Sequence, residues 1–357
     1  MRVSVRPAAA LRPEHLAVWR GVVSAVPSLW SPYFAPEFTL AAAEAREGVE
    51  VAVLEDGGVP VGFFPFQRGR GAVAHPVADP MSDFHGVIVR PEASWDGEEL
   101  VRACGLRAWR FDHLIVEQAP LARFQWSTAP SPFVDLTGGF DALRSRHRAL
   151  GSKHLEDLAY QERRASRAAG AARFELHTDS DEVFEALLRW KRKRYRDTGV
   201  PDPTASAWVV RLLDRVRRAR GPAFEGVLSA LYLGDRLAAV HLGMRTPTVF
   251  HYWLPAYDRE LAALSPGNVC LLALLRSAAA SGIARFDLGR GDEPYKQRLA
   301  SGSTAVAQGA IDFRPLARTL AHGFHRVRGW ARRSPLRRTL LAPARFARRV
   351  HAAWHRD

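Results

Sequence analysis

Between Gly289 and Lys296 the chain reads Gly-Arg-Gly-Asp-Glu-Pro-Tyr-Lys, placing five ionisable side chains within seven residues. Asp292 or Glu293 could accept a proton and Tyr295 could return one, while Arg290 or Lys296 could hold a carboxylate or a phosphate. A second candidate lies shortly before it, where Leu264-Ser265-Pro266-Gly267-Asn268-Val269 opens a helix. Ser265 suits the N-cap, Pro266 the first helical position, and Gly267 lets a ligand approach the backbone. A helix end of this kind binds anions through its free N–H groups, with Ser265, Gly267 and Asn268 as the contacts. Tyr257, just upstream, could contribute another hydroxyl; Asp258 beside it fits a simple turn equally well.

These groups need elements to position them. Val249–Leu254 patterns as a strand, and Asn268–Ala280 is apolar almost all round apart from Arg276 and Ser277, which predicts a helix buried between layers. Gly282 then stops the helix and Ala284–Leu288 forms the next strand. The ionisable loop therefore leaves the C-terminal end of a strand, where open α/β sheets bind ligands. Upstream, Phe224–Leu233 and Arg236–Arg245 flank Gly234-Asp235, a strong hairpin signal. Val49–Leu54 and Val59–Phe66 flank Asp56-Gly57-Gly58 in the same manner, and each hairpin is followed by a third strand, a helix and another strand. The pattern predicts two copies of one α/β fold with a mixed sheet.

Other segments fill in the frame. Gly97–Ala108 is predicted as a helix, as is Ala205–Arg218, and the steps of three and four from Phe140 to Leu158 predict one long amphipathic helix over Thr137–Ala169. Thr178-Asp179-Ser180-Asp181 caps a helix running to Arg196. Its end, Trp190–Tyr195, mixes cations with aromatics, as phosphate contact or ordinary last-turn charge would require. The polar loop Ala78–Gly86, held between Pro80 and Gly86, is a candidate site wall; Trp30, Tyr33, Phe34 and Phe38 could line a pocket mouth but are expected in the core, as are His241 and His251.

The chain of 357 residues carries a formal net charge of +14, but the charge is unevenly placed. From Arg314 to Asp357 there are twelve Arg and one acidic residue, whereas the other 39 basic and 36 acidic residues nearly balance. The body is therefore not a general nucleic-acid binder. Within the tail Leu316, Leu320, Phe324, Val327 and Trp330 recur at helical spacing, which suits an anionic membrane surface, an RNA or a loosely docked segment. Cys104 and Cys270 sit in apolar patterns and read as buried thiols. His147 and His154 have no second ligand pair, no zinc spacing, P-loop or nucleophile motif occurs, and the expected metal content is none. With no secretory pattern and no apolar run of about 18 residues, a cytoplasmic protein is expected, touching a membrane at most through its tail.

Tyr257-Asp258, Ser265-Pro266-Gly267 and the run Phe286-Asp287-Leu288-Gly289-Arg290-Gly291-Asp292-Glu293-Pro294-Tyr295-Lys296 together resemble the acetyltransferase-like domain of the CelD/BcsL cellulose-biosynthesis family, within the GNAT superfamily and related to Fem-type transferases. The resemblance covers roughly residues 137–314. It implies two tandem GNAT-like domains, 1–135 and 136–313, followed by a basic amphipathic tail over 314–357. It further implies transfer of an acyl group, acetyl in the first instance, from a coenzyme A thioester to an amine or hydroxyl of a small molecule or envelope glycan, with no tightly bound cofactor. Asp292 or Glu293 would then be the base, Tyr295 the acid, and Lys296 and Tyr257 further site groups, with Ser265, Gly267, Asn268 and Arg290 holding the donor. The family's glycine-rich pyrophosphate loop is reduced here to Gly267. A Fem-like transferase using aminoacyl-tRNA is the alternative, and a non-catalytic exopolysaccharide assembly factor a third.

Overall fold

The chain is described by a computed structural model over residues 1–315 and Thr319. Of the basic tail expected over 314–357, all but Arg314, Pro315 and Thr319 lies outside the described residues. Among the described residues thirteen strands form one sheet. In the first lobe come β1 (Arg2–Pro7), α1 (Pro13–Ala25), α2 (Pro36–Ala45), β2 (Val49–Asp56), β3 (Val59–Arg68), β4 (Val73–His75), β5 (Ile88–Val89), α3 (Gly97–Ala103) and β6 (Ala108–Ile115). Next follow β7 (Gln125–Asp135), α4 (Gly139–Ala149), α5 (His154–Ala169), β8 (Ala172–Glu175), α6 (Asp181–Thr198) and α7 (Ala207–Arg218). The second lobe is completed by β9 (Glu225–Leu233), β10 (Arg236–Arg245), β11 (Val249–Tyr257), α8 (Pro266–Ala280), β12 (Arg285–Asp287) and α9 (Pro294–Leu299), and β13 (Gly302–Asp312) follows.

The order across the sheet is β1-β2-β3-β4-β6-β13-β7-β12-β11-β10-β9-β8, with β5 against β3. Both expected hairpins are present, β2 with β3 and β9 with β10, and both pairs are antiparallel. The tandem α/β plan is thus realised as a continuous mixed sheet, in which β4–β6 and β11–β12 are parallel pairs. At the centre β13 pairs antiparallel with β6 on one side and β7 on the other. The last strand of the described chain therefore closes the sheet of the first lobe.

Three apolar cores hold the layers. One lies between the sheet and α1, α2, α6 and α7 and runs through both lobes, joining Trp19, Phe34 and Phe63 to Leu187, Leu213 and Leu242. A second surrounds α8, whose Val269, Leu272, Leu274 and Leu275 are fully buried against Leu143, Leu158 and Phe286. Each such aliphatic side chain contributes about 1.5–3 kcal/mol of burial. The third covers the opposite face of the first lobe.

Two sequence expectations are corrected. The single helix over Thr137–Ala169 is two, α4 and α5, because Gly151 adopts φ +70° and turns the chain. Leu150, counted on the apolar stripe, is 85% exposed at that break. The helix expected over Gly97–Ala108 stops at Ala103, since Ala108 already pairs with Asp312 in the sheet.

Candidate active site between the lobes

Strands β11 and β12 pair only over Val249–His251, after which β12 ends and β11 runs on to Tyr257. The far edge of β11 stays paired with β10 as far as Tyr257, so the edge facing β12 has no strand partner beyond His251 among the described residues. An uncovered edge of this kind can accept an extended ligand. The helix end and the ionisable loop follow directly on these two diverging strands.

Around the helix end, Ser265 has φ +55° and makes no side-chain cap, so the N-cap bond expected of it is absent. The Tyr257 ring lies over Gly267, where an added Cβ would sit 3.3 Å from Cδ1. Asn268 Nδ2 donates to Gln161 Oε1 on α5 at 2.8 Å, fixing its amide against that helix. Asp258 accepts from Glu260 N–H at 3.0 Å and pairs with Arg236, which gives it the turn role.

The loop is folded around Lys296. Its side chain is 8% exposed, and Nζ donates to the carbonyls of Gly289 at 3.2 Å and Arg290 at 3.1 Å and pairs with Glu293 Oε2 at 3.1 Å. Gly291, at φ +153°, crosses so closely that a Cβ there would collide with Glu293 and Lys296. Arg290 Nη1 donates to the carbonyl of Asp112 at 2.9 Å and ties the loop to β6. Lys296, Glu293 and Arg290 are therefore engaged in shaping the loop. Asp292 is exposed, and its carboxylate has no side-chain partner among the described residues, although its carbonyl accepts from Gln297. Tyr295 packs against the α8 core close to Tyr252. Burial, with Glu293 adding, pushes its phenol well above the ordinary value.

Residues that the sequence did not single out complete the site. Asp83, from the loop expected as a site wall, accepts from His251 Nε2 at 3.1 Å and lies beside Gly289. Burial pushes the Asp83 carboxyl up, but the hydrogen bond and charge of His251 outweigh it and hold it below the usual range. His251, expected in the core, is indeed fully buried, with its ring 4.9 Å from that of Tyr33. His113 Nδ1 lies 2.9 Å from Asp112 Oδ1, and His85 Nδ1 3.7 Å from the same oxygen. These contacts join residues far apart in the chain, so no spacing rule could announce them; the adjacency of Asp112 and His113 was the one local sign. His241 is a core residue too, stacked on Tyr252 at 4.6 Å, but neither ring nitrogen finds a partner among the described residues.

An uncovered parallel-strand edge, a helix end beside it and a polar loop beyond all fall within or beside residues 152–297, which match the family described as acetyltransferase (GNAT) domain. Solved structures resemble nearly the whole described chain. FemX aligns with a TM-score of 0.58 at 9% identity over 89% of this chain and 99% of its own. L-PGS from Bacillus licheniformis gives 0.55 at 12% identity, covering 87% and 96%, and a tandem GNAT protein of the clavulanic acid biosynthesis pathway gives 0.50 at 12%, covering 88% and 99%. No curated protein matches the sequence at a significant level.

Proposed function

We propose that the chain transfers an acyl group from a coenzyme A thioester to an amine or hydroxyl of a small molecule or envelope glycan. The observation that carries this reading is the parting of β11 from β12 beside the α8 N-terminus. A donor laid along the free edge of β11 would find the Gly267 N–H for a phosphate, since the Asn268 and Val269 N–H groups already donate to the Ser265 carbonyl, while its carbonyl end would reach the loop. Asp292, the loop carboxylate left unengaged, takes the acceptor's proton; Tyr295, kept protonated by burial, returns one to the leaving thiolate. Arg290, Glu293 and Lys296 hold the loop in shape, and Tyr257 walls the donor channel. The likeness to CelD/BcsL proteins supports the glycan end of the acceptor range.

One observation favours aminoacyl-tRNA as donor instead. Arg194, in the basic end of α6, is close enough to Tyr295 to act on its phenol. A cation of this basic segment beside the transfer site is what an RNA-borne donor would use. The test is direct. Acetyl-CoA at about a hundred times its Kd should stabilise the chain by about 2.7 kcal/mol and raise its Tm. Turnover that needs aminoacyl-tRNA, collapses with RNase and weakens near 200 mM salt would instead select the second donor. Neither response with any donor would reject the acyl-transfer reading.

A further inference from the structure

We propose that His85, Asp112 and His113 form a binding site for a divalent transition metal, with zinc the best match to two imidazoles and one carboxylate. Their ligand atoms all lie within 4.8 Å of one another. The relevant pairs are His113 Nδ1 to Asp112 Oδ1 at 2.9 Å and His85 Nδ1 to the same oxygen at 3.7 Å. Ligands about 2.1 Å from a tetrahedral zinc stand about 3.4 Å apart; these two separations bracket that value, and the third, between the rings, lies within 4.8 Å.

The far sides of both rings strengthen the case. His85 Nε2 lies 3.1 Å from the carbonyl of Ser82 and 3.0 Å from its hydroxyl, which places the ring proton there and leaves Nδ1 as a lone pair. His113 Nε2 faces Asp83 Oδ1 at 3.9 Å, so a carboxylate stands behind this imidazole as well. Acceptors behind metal-binding histidines orient the ring and raise its basicity. The frame is rigid: His85 N–H donates to the His113 carbonyl at 2.9 Å, and Ile115 N–H donates to that of His85 at 3.0 Å. The Asp112 side chain is 44% exposed, leaving a face for a water or a substrate oxygen.

Three existing contacts oppose the ion and limit its affinity, the first being the His113 Nδ1–Asp112 Oδ1 pair itself, a hydrogen bond whose proton the metal would have to displace. His113 N–H donates to His85 Nδ1 at 3.3 Å and would have to be released. Arg290, bonded to the Asp112 carbonyl, adds a positive charge nearby. The ion would sit where the Arg290 loop meets β6, at the rim of the acyl-transfer site, yet its binding does not depend on that reading.

The experiment uses the full chain stripped with chelator and titrated with Co²⁺, followed by zinc content after dialysis. The expected result is about one equivalent of metal and the visible absorption of four-coordinate Co²⁺. Asp112→Asn and His113→Gln, both checked for native circular dichroism, should each weaken binding at least about tenfold, as Asp83→Asn should to a smaller degree. His147→Gln is the control and should change nothing. Failure of the wild-type chain to take up either metal, or uptake that survives Asp112→Asn and His113→Gln unchanged, overturns the proposal.

Discussion

A phenol that protonates a leaving group must keep its proton until the bond breaks. Burial, with Glu293 beside it, raises the Tyr295 pKa, so the protonated form persists beyond the ordinary value near 10. If Tyr295 is the acid, kcat should hold through neutral pH and fall only above about pH 10. Tyr295→Phe should remove that alkaline limb and lower kcat by about 10²–10⁴-fold. Asp292→Asn should cost a similar factor with Tm unchanged, because the side chain is exposed and unengaged; undiminished turnover in both variants would end the assignment. Cys104 and Cys270 make a contrasting case, both buried and both pushed up to about 12 by that burial. Native protein at pH 8 should leave a thiol reagent such as Ellman's unreacted, and denaturant should release both thiols. Much of the loop was legible because its groups are contiguous from Arg290 to Lys296. What could not be read was their division of labour: Lys296 turns inward onto two carbonyls, a matter of backbone path rather than residue type.

Helix α8 was the most readable element, since an all-round apolar sequence can only be satisfied between layers. Leu272→Ala, at a fully buried position, should cost about 2–5 kcal/mol, measured by denaturant unfolding. Its first residues were less legible, because Ser265 follows a short helical turn in a left-handed conformation and cannot cap in the usual way. Amphipathic spacing likewise ran straight through Gly151, because periodicity registers which face is apolar but not where the axis turns. The loop after β12 offers a sharper element-scale test. Gly291→Ala would force apart the Glu293–Lys296 pair while leaving the apolar cores untouched. It should therefore lower kcat/KM at least about tenfold while Tm shifts by only a few degrees, comparing steady-state kinetics with thermal melts.

Across the molecule, the repeated hairpins announced two lobes but not how they join. The join is made by β7, β12 and β13, and by an apolar core that continues from Trp19 to Leu242. Arg211 on α7 adds hydrogen bonds to the Ala45 carbonyl of α2 across the same boundary. No local signal in β13 predicts its neighbours, because strand partners are set by topology and β13 resembles any other half-buried strand. A shared sheet and core should make the lobes unfold together, so calorimetry should give one transition with calorimetric and van't Hoff enthalpies in agreement. Two resolved transitions would contradict that coupling.

The position of β13 also bears on the order in which the protein can be built. A chain made from its N-terminus presents β1 to β6 long before Gly302–Asp312 exists, yet β6 needs that strand on its open edge. Until then the first lobe carries an unpaired strand edge, the kind that recruits other chains. Synthesis is thus a period of exposure to misassembly, and β13 must be made before the sheet of the first lobe can close.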